Sequence, residues 1–238
     1  MLLSHYLPKI LTALFGGLFI FAGIYTFGEP LLFDRLFVFI LIFTAVICRK
    51  NVNVLGVVVI LVIQRLVEET AWSVSELEYK TMIKGVFYLL SLIACWAVWY
   101  DKLAKLLVGT LILALGAEFY WILTSTKPSE IYWYVFLIAN CLVVRHLIFI
   151  RVLYTEDYFP KRSQSLNLDW HIHKIFAAYA AIWSLMVVEY LVRNILGFTN
   201  ALFIYSNVAL LVHIISTYGV WIIFFESYKL LLPRLLKA

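Results

Sequence analysis

Apolar residues run almost unbroken along this chain, in long stretches separated by short polar breaks. A helix that crosses a hydrocarbon layer about 30 Å thick needs about 20 such residues. Eight runs of suitable length can be read: Leu7–Phe27, Leu31–Cys48, Val52–Trp72, Thr81–Tyr100, Leu103–Thr124, Ile131–Tyr154, Ile175–Leu196 and Ala201–Leu232. The breaks carry turn or charge signals at Gly28-Glu29-Pro30, Arg49-Lys50-Asn51, Asp101-Lys102, Ser125 to Pro128 and Gly197 to Asn200. One connection is long, Thr155 to Lys174, and contains Pro160-Lys161-Arg162-Ser163. The pattern predicts an all-α integral membrane protein with about eight transmembrane helices. The last run exceeds the bilayer thickness, so it is expected to tilt or project. The first run is longer than a signal-peptide core and lacks a small-residue cleavage site before Gly28, so it is read as part of the mature chain.

Composition sharpens this picture. Hydrophobic residues make up 64% of the 238 positions and charged residues only 14%, with a mean hydropathy of +0.96. Soluble domains carry about 45–50% apolar and about 25% charged residues. Such an excess cannot be hidden behind a polar skin, which excludes a soluble enzyme. With 18 Phe, 15 Tyr and 8 Trp and no low-complexity tract, disordered and fibrous classes are excluded too.

A net charge of +5 invites a nucleic-acid partner, but the basic residues lie scattered at the ends of apolar runs. There they act as topology determinants and headgroup contacts, so the lipid bilayer is the expected partner and nucleic acid is not. Lys9, Arg49, Lys50, Lys102, Lys105, Arg151, Lys161, Arg162, Lys174, Lys229, Arg234 and Lys237 fall on the side of the N-terminus. Arg35, Lys80, Lys84 and Lys127 fall on the other, with Arg65 and Arg193 near the outer helix ends. This bias places both termini in the cytoplasm, as an even number of spans also requires. The chain has no Asn-x-Ser/Thr sequon, which fits a bacterial inner membrane. Cys48, Cys95 and Cys141 lie singly inside apolar runs and signal neither a metal nor a redox pair.

A weak internal repeat is visible. Lys9, Gly16 and Gly23 coincide without a gap with Lys102, Gly109 and Gly116. Further on, Leu66 and Val67 align with Leu191 and Val192, and the same register sets Ser91 on Ser216, Trp96 on Trp221 and Asp101 on Glu226. Together with Pro30 and Pro128, this suggests two parallel four-helix halves, 1–100 and 101–238, the second carrying a cytoplasmic loop at 155–174. Gly16, Gly17, Gly23, Gly109 and Gly116 are then expected to let the first and fifth runs approach closely.

Charges inside spans are costly and usually face the protein interior, so they are the leading functional candidates. At 1.5 Å per residue, Arg65, Glu118 and Glu189 all reach about 20 Å from the cytoplasmic end. Gln64, Glu68, Glu69, Arg193 and Asn194 extend that layer outward. The i,i+4 spacing of Arg65–Glu69 and Glu189–Arg193 suggests one ion pair on each helix. Glu118 has no such neighbour, so it either takes Arg65 or Arg193 or lines an outward cavity. In a clamp these groups lock helices together; in a cavity their acid excess would hold a cation or relay protons.

A second cluster is expected on the cytoplasmic side: Arg145, His146, Arg151, His171, His173 and Lys174. Snorkelling basic groups, with anionic lipid as a partner, account for it best. Bis-histidine haem needs matched pairs at two depths, and only His213 remains for a second one, so no cofactor and no metal is expected. Asn140, Asn207 and His213 are single mid-membrane polar groups of the kind that bridge helices.

No HExxH, GxSxG, phosphate-binding loop or dinucleotide fingerprint occurs, so the chain is not expected to be an enzyme. A lipid-acting enzyme would have to use Glu156-Asp157 with Asp169, His171 and His173. The leading expectation is a small transporter or ion-conducting protein. The alternative is a non-catalytic membrane subunit or anchor of a multiprotein assembly, bound to a partner or to further copies of itself.

Overall fold

The computed structural model describes residues 2–75, 80–124, 131–200 and 202–235, with side chains from 14 onward except 30, 31, 80, 81 and 230–235. The break at 125–128 and the side chains of Lys9, Lys80, Arg234 and Lys237 therefore lie outside the described residues. The described residues form eight α-helices and no strand: α1 Leu2–Tyr25, α2 Pro30–Ile47, α3 Val52–Ser75, α4 Lys80–Ala97, α5 Lys102–Thr124, α6 Ile131–Tyr158, α7 Asn167–Asn194 and α8 Phe203–Leu235. Four stretches, Lys102–Thr124, Ile131–Tyr158, Asn167–Asn194 and Phe203–Lys229, are long and apolar enough to cross a membrane. Leu14–Tyr25 and Met82–Ala97 are apolar but shorter. Gly28 and Gly197 take left-handed φ values of 91° and 76° in the turns after α1 and α7, a conformation that costs glycine nothing sterically.

Helix ends follow the apolar runs closely, with one difference. The long connection expected over 155–174 shrinks to 159–166, because α6 continues and α7 begins early. Polar side chains build these extra turns. The Thr155 hydroxyl donates to the Arg151 carbonyl at 2.8 Å, and Asp169, in the first turn of α7, accepts the Leu166 amide at 2.7 Å. That carboxylate caps the helix start, which hydropathy alone does not reveal.

The chain gathers into two compact units. The first comprises Met1–Val62, Arg151–Ile172 and Ala209–Ala238, the second Ile63–Ile150 and His173–Val208. In the second unit α5 turns one stripe inward, Ala104, Leu107, Leu111, Ala114, Ala117 and Trp121. Small residues along such a stripe let α4 and α5 pack closely, and the Cys95 thiol reaches the Ala104 carbonyl at 3.6 Å. Phe87 stacks on Phe136 at 4.7 Å, with Tyr132 and Trp133 beside it. The three cysteines are buried and form no disulfide among the described residues.

In the first unit α1 meets α8. The rings of Phe15 and Phe19 pack on Phe224 at 4.7 and 5.2 Å. His213 donates from Nε2 to the Gly23 carbonyl at 2.6 Å, its ring lying against Phe27 and Phe33. Gly16 and Gly23 of α1 thus face α8. A Cβ on Gly23 would lie 2.8 Å from Thr217, while one on Gly109 or Gly116 would meet nothing within 4 Å. The reason is the histidine, whose hydrogen bond fixes α8 against the Gly23 carbonyl. Gly23→Ala is therefore expected to destabilise the protein by about 1–3 kcal/mol through overpacking. Adding Thr217→Ala removes the clashing atoms and should recover most of that loss in a thermal melt. Equal melting temperatures for the single and double variants would contradict this packing.

Candidate functional site

The polar groups of the second unit fall into three sets. On α3, Arg65 donates from Nη1 to Glu68 Oε2 at 3.1 Å, and its contact with Glu69 is longer, at 3.9 Å. The expected i,i+4 pair is thus secondary to an i,i+3 pair, because Glu68 turns inward while Glu69 stays exposed. Asn140 of α6 donates to the other oxygen of Glu68 at 3.1 Å, so one carboxylate ties α3 to α6. Gln64, one turn earlier on α3, is buried.

Glu118 of α5 takes neither arginine. Its partner is Lys84 of α4, with Nζ 3.0 and 3.2 Å from the two carboxylate oxygens. Tyr88, one turn along α4, donates its hydroxyl to Oε1 at 3.4 Å. The ammonium also lies 5.5 Å from the ring centroid of Tyr132, a cation–π contact. The Lys84 and Glu118 side chains are only 13% and 18% exposed. In the sequence Lys84 stands only among the basic residues of the outer side. Its i,i+4 spacing to Tyr88 was the signal for a polar face on α4.

Glu189 and Arg193 part company in the third set. Glu189 accepts the amides of Ile204 and Tyr205 at 2.5 and 2.8 Å, capping the start of α8. The first amides of a helix lack partners within it and draw a carboxylate more strongly than the half-buried Arg193 guanidinium does. Arg193 instead lies over the rings of Tyr190 and Tyr205, 5.5 and 5.4 Å from their centroids. Asn194 turns back on its own helix, donating to the Tyr190 carbonyl.

No known family, curated protein or solved structure matches this chain. The site must be read from its geometry.

The basic cluster divides as well. Arg145 is buried, with Nε 3.0 Å from Asp101 Oδ2 and Nη2 3.3 Å from Oδ1, and it also donates to the His173 carbonyl at 2.6 Å. It does not snorkel to the surface, because Asp101 in the turn between α4 and α5 holds it inside. The same carboxylate caps α5 through the Leu103 amide at 3.0 Å. His146 pairs with the Tyr100 hydroxyl. In the first unit, His171 Nδ1 lies 2.9 Å from the Tyr218 hydroxyl, and Asp169 is held by Arg151. The acid–base candidates Asp169 and His171 are thus engaged with different neighbours. Lys174 is exposed on α7. Among the described residues no group of three metal-ligating side chains converges.

Burial pushes the Asp101 carboxyl up, but hydrogen bonds from Arg145 and Leu103 and the guanidinium charge outweigh it and hold the group below the ordinary aspartate value of 3.8. A lowered folded value means the carboxylate form stabilises the fold. That contribution is complete above the ordinary aspartate range and is lost as pH falls through the lower folded value. Melting temperature should therefore drop on acidification, and Asp101→Asn should flatten this part of the profile. A variant whose acid profile follows the native one would show that the pair contributes nothing.

Proposed function

We infer that this chain is a polytopic inner-membrane protein with about eight spans, both termini in the cytoplasm and two parallel four-helix halves, 1–100 and 101–238. Its function is to transport a cation or protons through a polar layer in the outer third of the membrane. The observation that carries this reading is the Lys84–Glu118 pair, joined by Tyr88, between two apolar helices. Well-packed apolar residues stabilise such a contact as well as a charged pair does, or better. Retaining charge inside a span therefore favours a working group over a structural one. Glu118 is suited to exchange its lysine for a proton or a small cation, with the Tyr88 hydroxyl remaining as a second polar contact. Glu68, held by Arg65 and Asn140, supplies a second carboxylate in the same layer.

The test is uptake into liposomes containing the purified chain, with a pH-sensitive dye inside for protons and a radioactive monovalent cation in parallel. Glu118→Gln should abolish pH-dependent flux while Glu69→Gln, on an exposed side chain, leaves it intact. Native flux that survives Glu118→Gln would end the transport reading.

One feature favours the alternative of a non-catalytic subunit or anchor. Glu68, Glu118 and Glu189 are each held by protein groups, as a set of helix clamps would be. A stoichiometric protein partner retained through purification, without flux from the isolated chain, is the outcome expected on that reading.

A further inference from the structure

The first unit contains a polar hub that the transport reading does not use. Asn53, buried in the first turn of α3, donates from Nδ2 to the Arg162 carbonyl at 2.7 Å. Its Oδ1 accepts the Gln164 amide at 3.0 Å and Arg151 Nη1 at 3.3 Å. Arg151, itself buried, forks onto Asp169 with contacts of 2.9 and 2.5 Å and also reaches the Gln164 carbonyl. The connection between α6 and α7 is thereby pinned to the start of α3.

This pinning holds like charges together. Arg162 on the connection, and Arg49 and Lys50 in the turn before α3, line one cavity of about 870 Å³. All three are exposed, no carboxylate lines the cavity, and none of the three is ion-paired among the described residues. The start of α3 opens on the same space through Val52 and Leu55, adding the positive end of its helix dipole. Five cations elsewhere in the chain, Arg65, Lys84, Arg145, Arg151 and Lys229, each meet a carboxylate. Three unmatched cations around one hollow, fixed by a buried hub, form a receptor for a multiply accepting anion. Arginine matches phosphate oxygens with its planar fork, and lysine adds a point charge.

The surroundings indicate depth. Tyr158, Phe159 and Trp170 are exposed beside the hub, the aromatic placement found at the level of lipid headgroups. We propose that the cavity lined by Arg49, Lys50 and Arg162 binds the phosphate of an anionic lipid headgroup. Within the cluster Arg145, His146, Arg151, His171, His173 and Lys174, Arg145 and His171 are engaged with Asp101 and Tyr218, whereas no carboxylate lines the cavity of Arg49, Lys50 and Arg162. The proposal uses no residue of the Lys84–Glu118 layer and stands whether or not the chain transports.

The test is native mass spectrometry of the full chain in neutral detergent, titrated with phosphatidic acid. Arg49→Gln/Lys50→Gln/Arg162→Gln should weaken the tightest lipid-binding event by about a hundredfold, the sum of three basic contacts of ordinary strength at an anionic surface. A control of equal charge, Arg35→Gln/Lys102→Gln/Lys105→Gln, should change it less than about threefold on the same scale. Both variants should melt like the native protein, since all six substituted side chains are exposed. Oleate, an anionic lipid without phosphate, should not occupy the site. Displacement of phosphatidic acid by millimolar inorganic phosphate would assign the pocket to the phosphate group itself, from a soluble source; resistance to it assigns the pocket to the lipid. Equal weakening by both triple variants, or none by the first, would overturn the proposal.

Discussion

Glu118→Gln is expected to lower the melting temperature of the protein sharply, and Lys84→Met combined with Glu118→Leu to restore most of it. The single change leaves an ammonium facing a neutral amide in a site only 13–18% exposed, with Tyr88 and Tyr132 as its remaining neighbours. Breaking a buried pair from one side typically costs about 3–5 kcal/mol, whereas replacing both partners by apolar groups is often neutral. Lysine's long stem can carry the charge toward water, which places the expected loss at the lower end of that range. For a chain of this length each kcal/mol corresponds to about 2–4 °C. Thermal melts in nanodiscs read this directly. If the double variant melts no higher than the single one, the pair is not the source of the loss. The same melts also separate folding from flux, since transport lost in a variant of intact stability points to Glu118 as a working group.

A comparable loss is expected at Arg151. Its side chain is 3% exposed and anchors Asp169, Asn53 and the Gln164 carbonyl at once. A Cβ on Gly56 would sit 3.1 Å from Arg151 Cδ, so the stem packs against α3 as tightly as the head bonds. Arg151→Ala removes both, leaving the half-buried Asp169 without its cation and Asn53 without one donor. The expected destabilisation is about 3–5 kcal/mol. Arg151→Lys should recover little, because one ammonium cannot reproduce a fork onto Asp169 together with bonds to Asn53 and Gln164. Urea melts of the three proteins would show it, and a lysine variant as stable as the native chain would contradict the fork.

Much of the helix layout was legible because hydropathy reports each turn of an apolar helix independently. It failed where helices are built from polar turns. Residues 155–158 and 167–174 read as a loop, yet they are helical, because their stability comes from Asp169 capping and the Arg151 fork. The polar layer was legible as a set of residues but not as a set of partners. Glu68 and Glu118 were found by their position inside apolar runs, and Lys84 was missed as a partner. Measured from the outer ends of their runs, Lys84 and Glu118 lie about 5 and 9 Å deep, a match that was available. Intrahelical spacing also misled at Glu189, where a neighbouring helix offers two free amides and outcompetes Arg193. The hub was harder. Nothing in the spacing of Asn53, Arg151 and Asp169 announces that they meet, since their contacts are set by where the helices end.

The Asn53 hub also fixes an order of events during synthesis. Its side chain bonds to residues 98, 109 and 111 positions later in the chain. At about 5–20 residues per second, the ribosome needs roughly 5–20 seconds to supply them. For that interval the start of α3 holds an amide whose partners do not yet exist, in a chain that is already entering lipid. The N-terminal helices therefore cannot reach their final arrangement as they emerge. The last of those partners, Gln164, lies just before α7. A chain stopped before Asp169 is expected to be degraded in a pulse–chase experiment even though six complete helices, α1 to α6, precede α7.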